Sequence, residues 1–407
     1  MDFDVAIVGG GAAGIGAARR LAQSRYSAVL LEADSRLGGR ARSQQVSGRH
    51  IDLGCGWFHS ADRNSWVGIA ENAGIFIDRR TPQWGIQHRD LGFSKAEQTE
   101  ARQAFNGWME RLEKNAPYSD SAADALLPAC PWNDYIRTIV GFVSGGRLED
   151  LSIADYLTYD EASTDNNWRA PVGYGSVIAG SMPRQVSVRL STPVTSMQLL
   201  PEGVALTTAA GTVHVRAALL TASTCVLAGD ALKLPAELAS WREAARSLPL
   251  GRNEKLFLEI IGDAPFVAES QVLGNPRDVR TASYYIRPLD SPVIECFFGG
   301  EGARIVEAEQ PAAAFDFCVE QLVSLFGAGV RSSLRPLQAS TWSHAKYIGG
   351  AYSYALPGHA AARQALARPF DKRVFFAGEA TSPGDFSTAH GAHDSGVRAA
   401  NEALAVL

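Results

Sequence analysis

Apolar positions along the chain switch between short unbroken runs and spacings of three or four, which predicts buried strands alternating with helices. Val5 to Val8 is a β-branched run suited to a strand covered on both faces. The next stretch puts Ile15, Ala18, Leu21 and Ala22 on one helical face, and Val29 to Leu31 reads as a second buried strand. His50 to His59 reads as a strand entering a glycine turn. Residues 90 to 160 turn helical, with Phe105, Trp108, Met109 and Leu112 as an apolar stripe and Pro117, Pro128 and Pro131 as breaks. A turn at 171–175 leads to a helix from Val177 to Met182. Short strands follow, among them Val194 to Met197, Thr212 to Val215 and a separate buried run at Leu219 to Thr221. Leu256 to Ile260, Ala282 to Tyr285 and Ile294 to Phe298 are strand-like, and Pro311 to Phe326 is helical. Val374 to Ala377 predicts a last strand, and 391–405 a last helix.

This order predicts two interleaved domains, as expected for a chain of 407 residues. The expected segments are 1–80, 170–248 and 366–407 for one domain, with 81–169 and 249–365 for the other.

The glycines give the first domain a chemistry. Gly9, Gly11 and Gly14 make a G-x-G-x-x-G turn between a strand and a helix, and Glu32 ends the next strand roughly 20 residues on. That unit suits a dinucleotide, with the diphosphate at the helix N-terminus and the carboxylate on the adenosine ribose. Gly38-Gly39-Arg40-Ala41-Arg42 moves the expectation from a nicotinamide cofactor to FAD. A second glycine turn stays close to the cofactor while Arg40 and Arg42 reach the diphosphate. The fold class expected is therefore α/β, a Rossmann-type FAD-binding domain interleaved with a mixed α+β substrate domain.

Composition narrows the partners. Hydrophobic content of 46% with 20% charged residues describes a soluble globular protein. A net charge of −5 gives no reason to expect nucleic acid or an anionic membrane. No apolar run is long enough to span a bilayer, and the first strand starts at once, so a cytoplasmic location is expected. Cys55, Cys130, Cys225, Cys296 and Cys318 are scattered and never spaced C-x-x-C, and His390 and His393 lack a nearby third ligand. Neither a disulfide framework nor a metal is expected.

With these motifs in view, the chain resembles the flavin-containing amine oxidases, the group of monoamine and polyamine oxidases. The likeness rests on Gly9 to Gly14 with Glu32, on Gly38-Gly39-Arg40, and on Asp52-Leu53-Gly54 with Trp57-Phe58-His59. It continues through Lys255, Trp342, Gly350-Ala351-Tyr352-Ser353-Tyr354, Phe376-Ala377-Gly378-Glu379-Ala380-Thr381-Ser382 and His390-Gly391-Ala392. It implies a two-domain amine-oxidase-like architecture. It also implies Ala12, Ala13, Ala33, Gly39, Gly54, Gly56, Trp57, Val194 and Ala389 as further neighbours of FAD. The C-terminal block repeats the cofactor logic: Gly378 admits the backbone to the cofactor and Glu379 is expected to accept a ribityl or phosphate-linked hydroxyl. The helix start at Thr388-Ala389-His390 would aim its dipole at the reduced flavin, or serve simply as a surface helix capped by Thr388.

The resemblance implies oxidation of an amine C–N bond to an imine, with hydride passing to flavin N5 and O₂ taking the electrons to give peroxide. Lys255 would hold a water beside the flavin and favour oxygen reduction; the blander reading of the bare residue is a strand-end lysine in solvent. His59 would contact the amine or act as a weak base near neutral pH. Tyr352 would supply an aromatic wall, with Trp57, Phe298, Trp342, Tyr354 and Thr388 lining the substrate. The second wall usual in the family falls at Thr388, so Phe386 is the candidate to replace it. The turn 381–385 holds no cysteine, so FAD is expected to be dissociable. Arg63 and Arg287 are candidates to hold a substrate carboxylate, which would make the chain an amino-acid oxidase. Two more activities fit the same cofactor motifs: desaturation of C–C bonds in a lipid-like substrate, and flavin binding without turnover. The small-molecule amine and the oligomeric state are left open.

Overall fold

The computed structural model describes residues 1–46, 48–114, 119–308 and 311–407, so the expected break at Pro117 lies outside it. The chain forms two units, one of Met1–Arg80, Thr158–Leu250 and His344–Leu407, the other of Thr81–Leu157 and Gly251–Ser343. The returns to the first unit at Thr158 and His344 come earlier than the expected 170 and 366. The reason is local pairing. Trp168 and Arg169 bridge to Phe58 and Asp78, and Ser353 bridges to Leu250.

In the first unit the strands are β1 (Phe3–Val8), β2 (Ala28–Leu31), β3 (Ser43–Val46), β4 (Arg49–Asp52), β5 (Ser187–Arg189), β6 (Val194–Leu199), β7 (Val204–Thr208) and β8 (Gly211–Leu220). The second unit holds β9 (Asn253–Ile260), β10 (Ser270–Leu273), β11 (Ser283–Ile286), β12 (Val293–Gly299) and β13 (Leu334–Ala339). The chain then returns to the first unit with β14 (Val374–Phe376).

The main sheet of the first unit runs β5-β2-β1-β8-β7-β6, with β14 also on β8. β5, β2, β1, β8 and β14 are parallel. Val8 is level with both Leu31 and Leu220, and Leu220 with Phe376, so the carboxyl ends of four strands share one edge. In such sheets ligands bind outside that edge. Side-chain alternation covers both faces: Val5 and Ile7 join one core, Ala6 and Val8 the other. Helix Ala12–Leu21 and helix Ala389–Leu404 pack together over one face. Gly396 permits their close approach, since a Cβ there would lie 2.0 Å from Ala13 O.

Thr212 to Val215 and Leu219 to Thr221 were expected as separate strands, but they are one strand, β8. Its first half pairs with β7 and its second half with β14. His214 and Arg216 look like an interruption in the sequence, yet they only face outward from a continuous ladder.

The second unit is built on an antiparallel sheet, β10-β11-β12-β9-β13. Leu256, Leu258, Ile294, Cys296 and Phe298 cover one face and pack on Ala314, Cys318 and Leu322 of helix Pro311–Phe326. Helices Lys95–Lys114, Asn133–Ser144 and Glu301–Ala308 also belong to this unit. Among the described residues no helix is long and apolar enough to cross a membrane.

Candidate active site

At the carboxyl edge of β1, β2 and β14 the first unit forms a cradle. Gly14 closes the first turn so tightly that a Cβ there would sit 1.9 Å from Gly9 O. At Gly11 the reverse holds: a Cβ would meet no protein atom nearer than 4.0 Å, and no side chain caps the helix that starts after it. The open position and uncapped N–H groups fit a diphosphate laid along the backbone. Glu32 accepts the N–H of Gly10 at 2.5 Å and of Asp34 at 2.7 Å. Burial pushes its carboxyl up from the ordinary range despite those donors. Ala12, Ala13 and Ala33 lie in this same turn region, and Gly39 forms the facing turn, where Gly38 bridges to Gly11. Gly378 has φ 137° and open space where a Cβ would stand, so the C-terminal turn offers a second approach for a cofactor. These features fit FAD.

Glu379 has a different part from the one expected. It is buried and takes four protein donors: Arg40 Nη1 at 2.8 Å, Ser353 N at 3.2 Å, Ser353 Oγ at 2.7 Å and Ser387 N at 2.9 Å. Those four fill the acceptor sites of a carboxylate, so Glu379 organises protein rather than a cofactor hydroxyl. Burial opposes its charge, but Arg40 and Arg363 outweigh it and hold the carboxyl below the usual range. Arg40 Nη1 also donates to Ala351 O at 2.5 Å, which ties that nitrogen to the chain. Arg42 is exposed.

Thr388 caps the last helix, accepting Gly391 N–H at 3.0 Å while its own hydroxyl donates to Asp385 O at 2.6 Å. That hydroxyl is committed to the cap, and the place expected for an aromatic wall is a helix terminus. Ala389 O accepts Trp66 Nε1 at 2.9 Å. Asp385 receives both Arg63 nitrogens, at 2.5 and 2.6 Å, and lies 3.1 Å from His390 Nε2. Against its burial, His390 and Arg63 hold the Asp385 carboxyl far below the ordinary range. Arg63 is thus occupied by protein, not held open for a substrate carboxylate. Phe386 does not replace the missing wall, because the Arg363 guanidinium covers its ring at 3.4 Å.

His59, Trp57, Tyr352 and Tyr354 all belong to the first unit. His59 Nδ1 lies 2.7 Å from Asn167 Oδ1. The Trp57 ring carries the Arg169 guanidinium at 4.9 Å, and Arg169 pairs with Asp78 at 2.5 Å. Tyr354 is buried and its N–H donates to Pro249 O, while Tyr352 is half-buried. Gly54 and Gly56 follow β4, and Val194 starts β6 with its side chain in the core.

Lys255, Trp342 and Phe298 belong to the second unit. Lys255 is not a strand end in solvent: it is buried within β9 and its Nζ pairs with Glu295 at 2.8 Å. Phe298 is a correction. It stands on the helix-covered face of β12, fully buried with Leu256 and Tyr284, and lines no substrate site. Strand parity explains the error, because Phe297 is the residue level with Lys255 and shares its face. Trp342 is buried and donates its backbone N–H to Glu254 at 2.6 Å. Ser353, Arg363 and Glu254 escaped the sequence reading because their partners are far away along the chain. A buried-charge pattern such as Asn-Glu-Lys opening an apolar strand was the one available signal. Among the described residues, no group of His, Cys, Asp and Glu could hold a metal ion.

Residues 108–404 match the model of the flavin containing amine oxidoreductases, and residues 7–70 that of an NAD(P)-binding Rossmann-like domain. Polyamine oxidase 2 of Arabidopsis thaliana is 26% identical over 98% of this chain and 87% of its own length. Polyamine oxidase 4 of Oryza sativa subsp. japonica is 25% identical over 98% and 88%. A solved structure of wild-type putrescine oxidase bound to putrescine superposes with TM-score 0.77 at 15% identity, covering 100% of this chain and 99% of that one. That likeness is one of fold.

Proposed function

We propose that this chain, which belongs to the flavin-containing amine oxidoreductase family, oxidises an aliphatic diamine or polyamine and passes the electrons to O₂. FAD-dependent oxidation of an amine is the activity of the family. When bound, FAD supplies the acceptor for the hydride that leaves the carbon beside the amine nitrogen. The observation that carries the reading is the cradle at the shared strand edge, where Gly11, Glu32, Gly378 and the N-termini of two helices lie beyond β1, β2 and β14. The last helix directs its positive dipole end out of the Thr388 cap and would favour negative charge developing on the cofactor.

The polyamine assignment is supported by the names of relatives aligned along nearly the whole chain. It is supported as well by Arg63, whose pairing with Asp385 leaves it no role in holding an amino-acid carboxylate. His59 and Tyr352 are proposed as the groups that meet the amine, with Trp57 and Tyr354 beside them. Lys255 is proposed as the cation that assists oxygen reduction, and FAD as dissociable.

The test is anaerobic mixing of the purified flavoprotein with putrescine, spermidine, spermine and a set of amino acids, followed at about 450 nm, the flavin band. Bleaching by a polyamine, then peroxide on admitting air, is the expected result. Bleaching by an amino acid alone, or by no amine, overturns the assignment.

A further inference from the structure

We infer that Glu254 is a positioning residue that joins the Trp342 turn to the backbone of Lys255, so that the two move as one piece. The inference rests on the role proposed for Lys255 and adds a residue to it.

Glu254 precedes Lys255 on β9 and is 1% exposed. Alternation along the strand sends the two side chains to opposite faces. Lys255 meets Glu295 on one face. On the other, Glu254 sits at the end of the row formed by Leu256 and Leu258. Its Oε1 accepts the N–H of Trp342 at 2.6 Å and that of Ser343 at 3.4 Å. Its Oε2 accepts the hydroxyl of Ser340. Ser340 in turn clasps the next residue from both sides. Its Oγ accepts Lys255 N–H at 2.8 Å, and its own N–H donates to Lys255 O at 2.8 Å. The order of donors runs one way, from Lys255 N–H to Ser340 and from Ser340 to the Glu254 carboxylate.

That order holds only while Glu254 is ionised, since a carboxylate accepts and does not donate. A proton placed on Oε2 is donated to Ser340 Oγ, whose second lone pair lies open beside the one that takes the Lys255 N–H. Protonation therefore reverses the Glu254–Ser340 bond without breaking the joint, whereas the ionised carboxylate is the form that burial disfavours. The charged groups around Glu254 are Glu307, which binds Arg252 and the Ser343 hydroxyl, and the Lys255–Glu295 pair across the sheet. Burial first, and then the Glu307 charge, push the Glu254 carboxyl up to about 7 against the pull of Ser340, Trp342 and Ser343. The joint is thus set to tighten and loosen across neutral pH.

The holoenzyme tests this by amide hydrogen exchange of segments 253–257 and 340–343 between pH 6 and 8.5, corrected for the intrinsic rate. Protection of the two segments should fall together, about tenfold, as pH rises to neutrality in the wild type, because the closed joint holds the Glu254 proton more tightly than the opened one, and stay flat in Glu254→Gln. Ser340→Ala, which cuts the relay without touching the carboxyl, should uncouple the two segments, so that only 340–343 keeps the midpoint. Stopped-flow reoxidation of the reduced enzyme by O₂ should show the same midpoint in the wild type and lose it in Glu254→Gln. A wild-type exchange profile with no midpoint, or one that Glu254→Gln retains, overturns the inference. Lys255→Met separates it from the reading beneath. Wild-type reoxidation in that variant removes the role of Lys255, while the exchange result still decides whether Glu254 joins the two segments.

Discussion

Arg40 Nη1 lies 2.8 Å from Glu379 Oε1, and this bond fastens the glycine turn after β2 to the glycine turn after β14. The pair is largely shielded from water, with Glu379 also held by Ser353 and Ser387. A buried pair is weak evidence of stability as a whole, yet removal of one partner strands the other charge.

Arg40→Ala should accordingly destabilise the first unit by about 3 kcal/mol and weaken FAD retention. Urea unfolding followed by flavin release measures both. A loss under about 0.5 kcal/mol would place the pair among ordinary surface bridges.

The two glycines of the first turn should respond differently to one methyl group. Gly14→Ala drives a Cβ into Gly9 O, so loss of the native turn and of folded protein is expected. Gly11→Ala meets only open space, so the apo fold should persist with normal circular dichroism. FAD affinity in that variant should fall about tenfold or more, as expected when a diphosphate loses its backbone contact. Equal FAD affinity in Gly11→Ala and wild type would remove the cradle from the cofactor site.

Stability should carry two pH dependences of opposite sign. Glu379 and Asp385 are held below their ordinary values of 4.5 and 3.8, so the unfolded chain binds more protons in acid. Their contribution is present above those values and is lost as pH falls below about 4. Glu254 is raised from 4.5 to about 7, so between those values the folded chain binds the extra proton and stability declines as pH rises. That decline amounts to about 3 kcal/mol at most, from the linkage of a shift of this size. Denaturant midpoints from pH 3 to 8 should show a maximum in the mildly acidic range, and Glu254→Gln should flatten its alkaline side.

Strand parity in β12 separates two adjacent phenylalanines. Phe298→Ala empties a fully buried core position and should cost about 3–5 kcal/mol. Phe297→Ala, on the face of Lys255, should cost far less stability and change steady-state amine kinetics instead. Reversed outcomes would mean that the register of β12 on β9 is off by one residue.

The first β–α–β unit was legible because everything that builds it is local: four apolar residues, three glycines at fixed spacing, a helix face and Glu32. The last strand and helix were legible for the same reason. Phe298 misled because an unbroken run, Ile294 to Phe298, hides which of its residues share a face until the partner strand is known. Glu379 misled because its position after Gly378 matches a cofactor pattern, while its actual donors come from Arg40, Ser353 and Ser387. Glu254 and Ser340 were invisible for a related reason: 86 positions separate them, and only the pairing of β9 with β13 brings them together.

The order of assembly follows from where β14 falls. As a ribosome delivers this polypeptide, the Gly9 turn, Glu32 and the inner ladder all emerge early, yet beyond its pairing with β7 one flank of β8, at Ala218 to Leu220, has no neighbour until Val374 appears. Nascent chains stalled before that point should stay colourless and expose an unpaired edge to chaperones. Acquisition of the yellow prosthetic group is then a late event, and its appearance on a translation time course marks completion of the nucleotide unit.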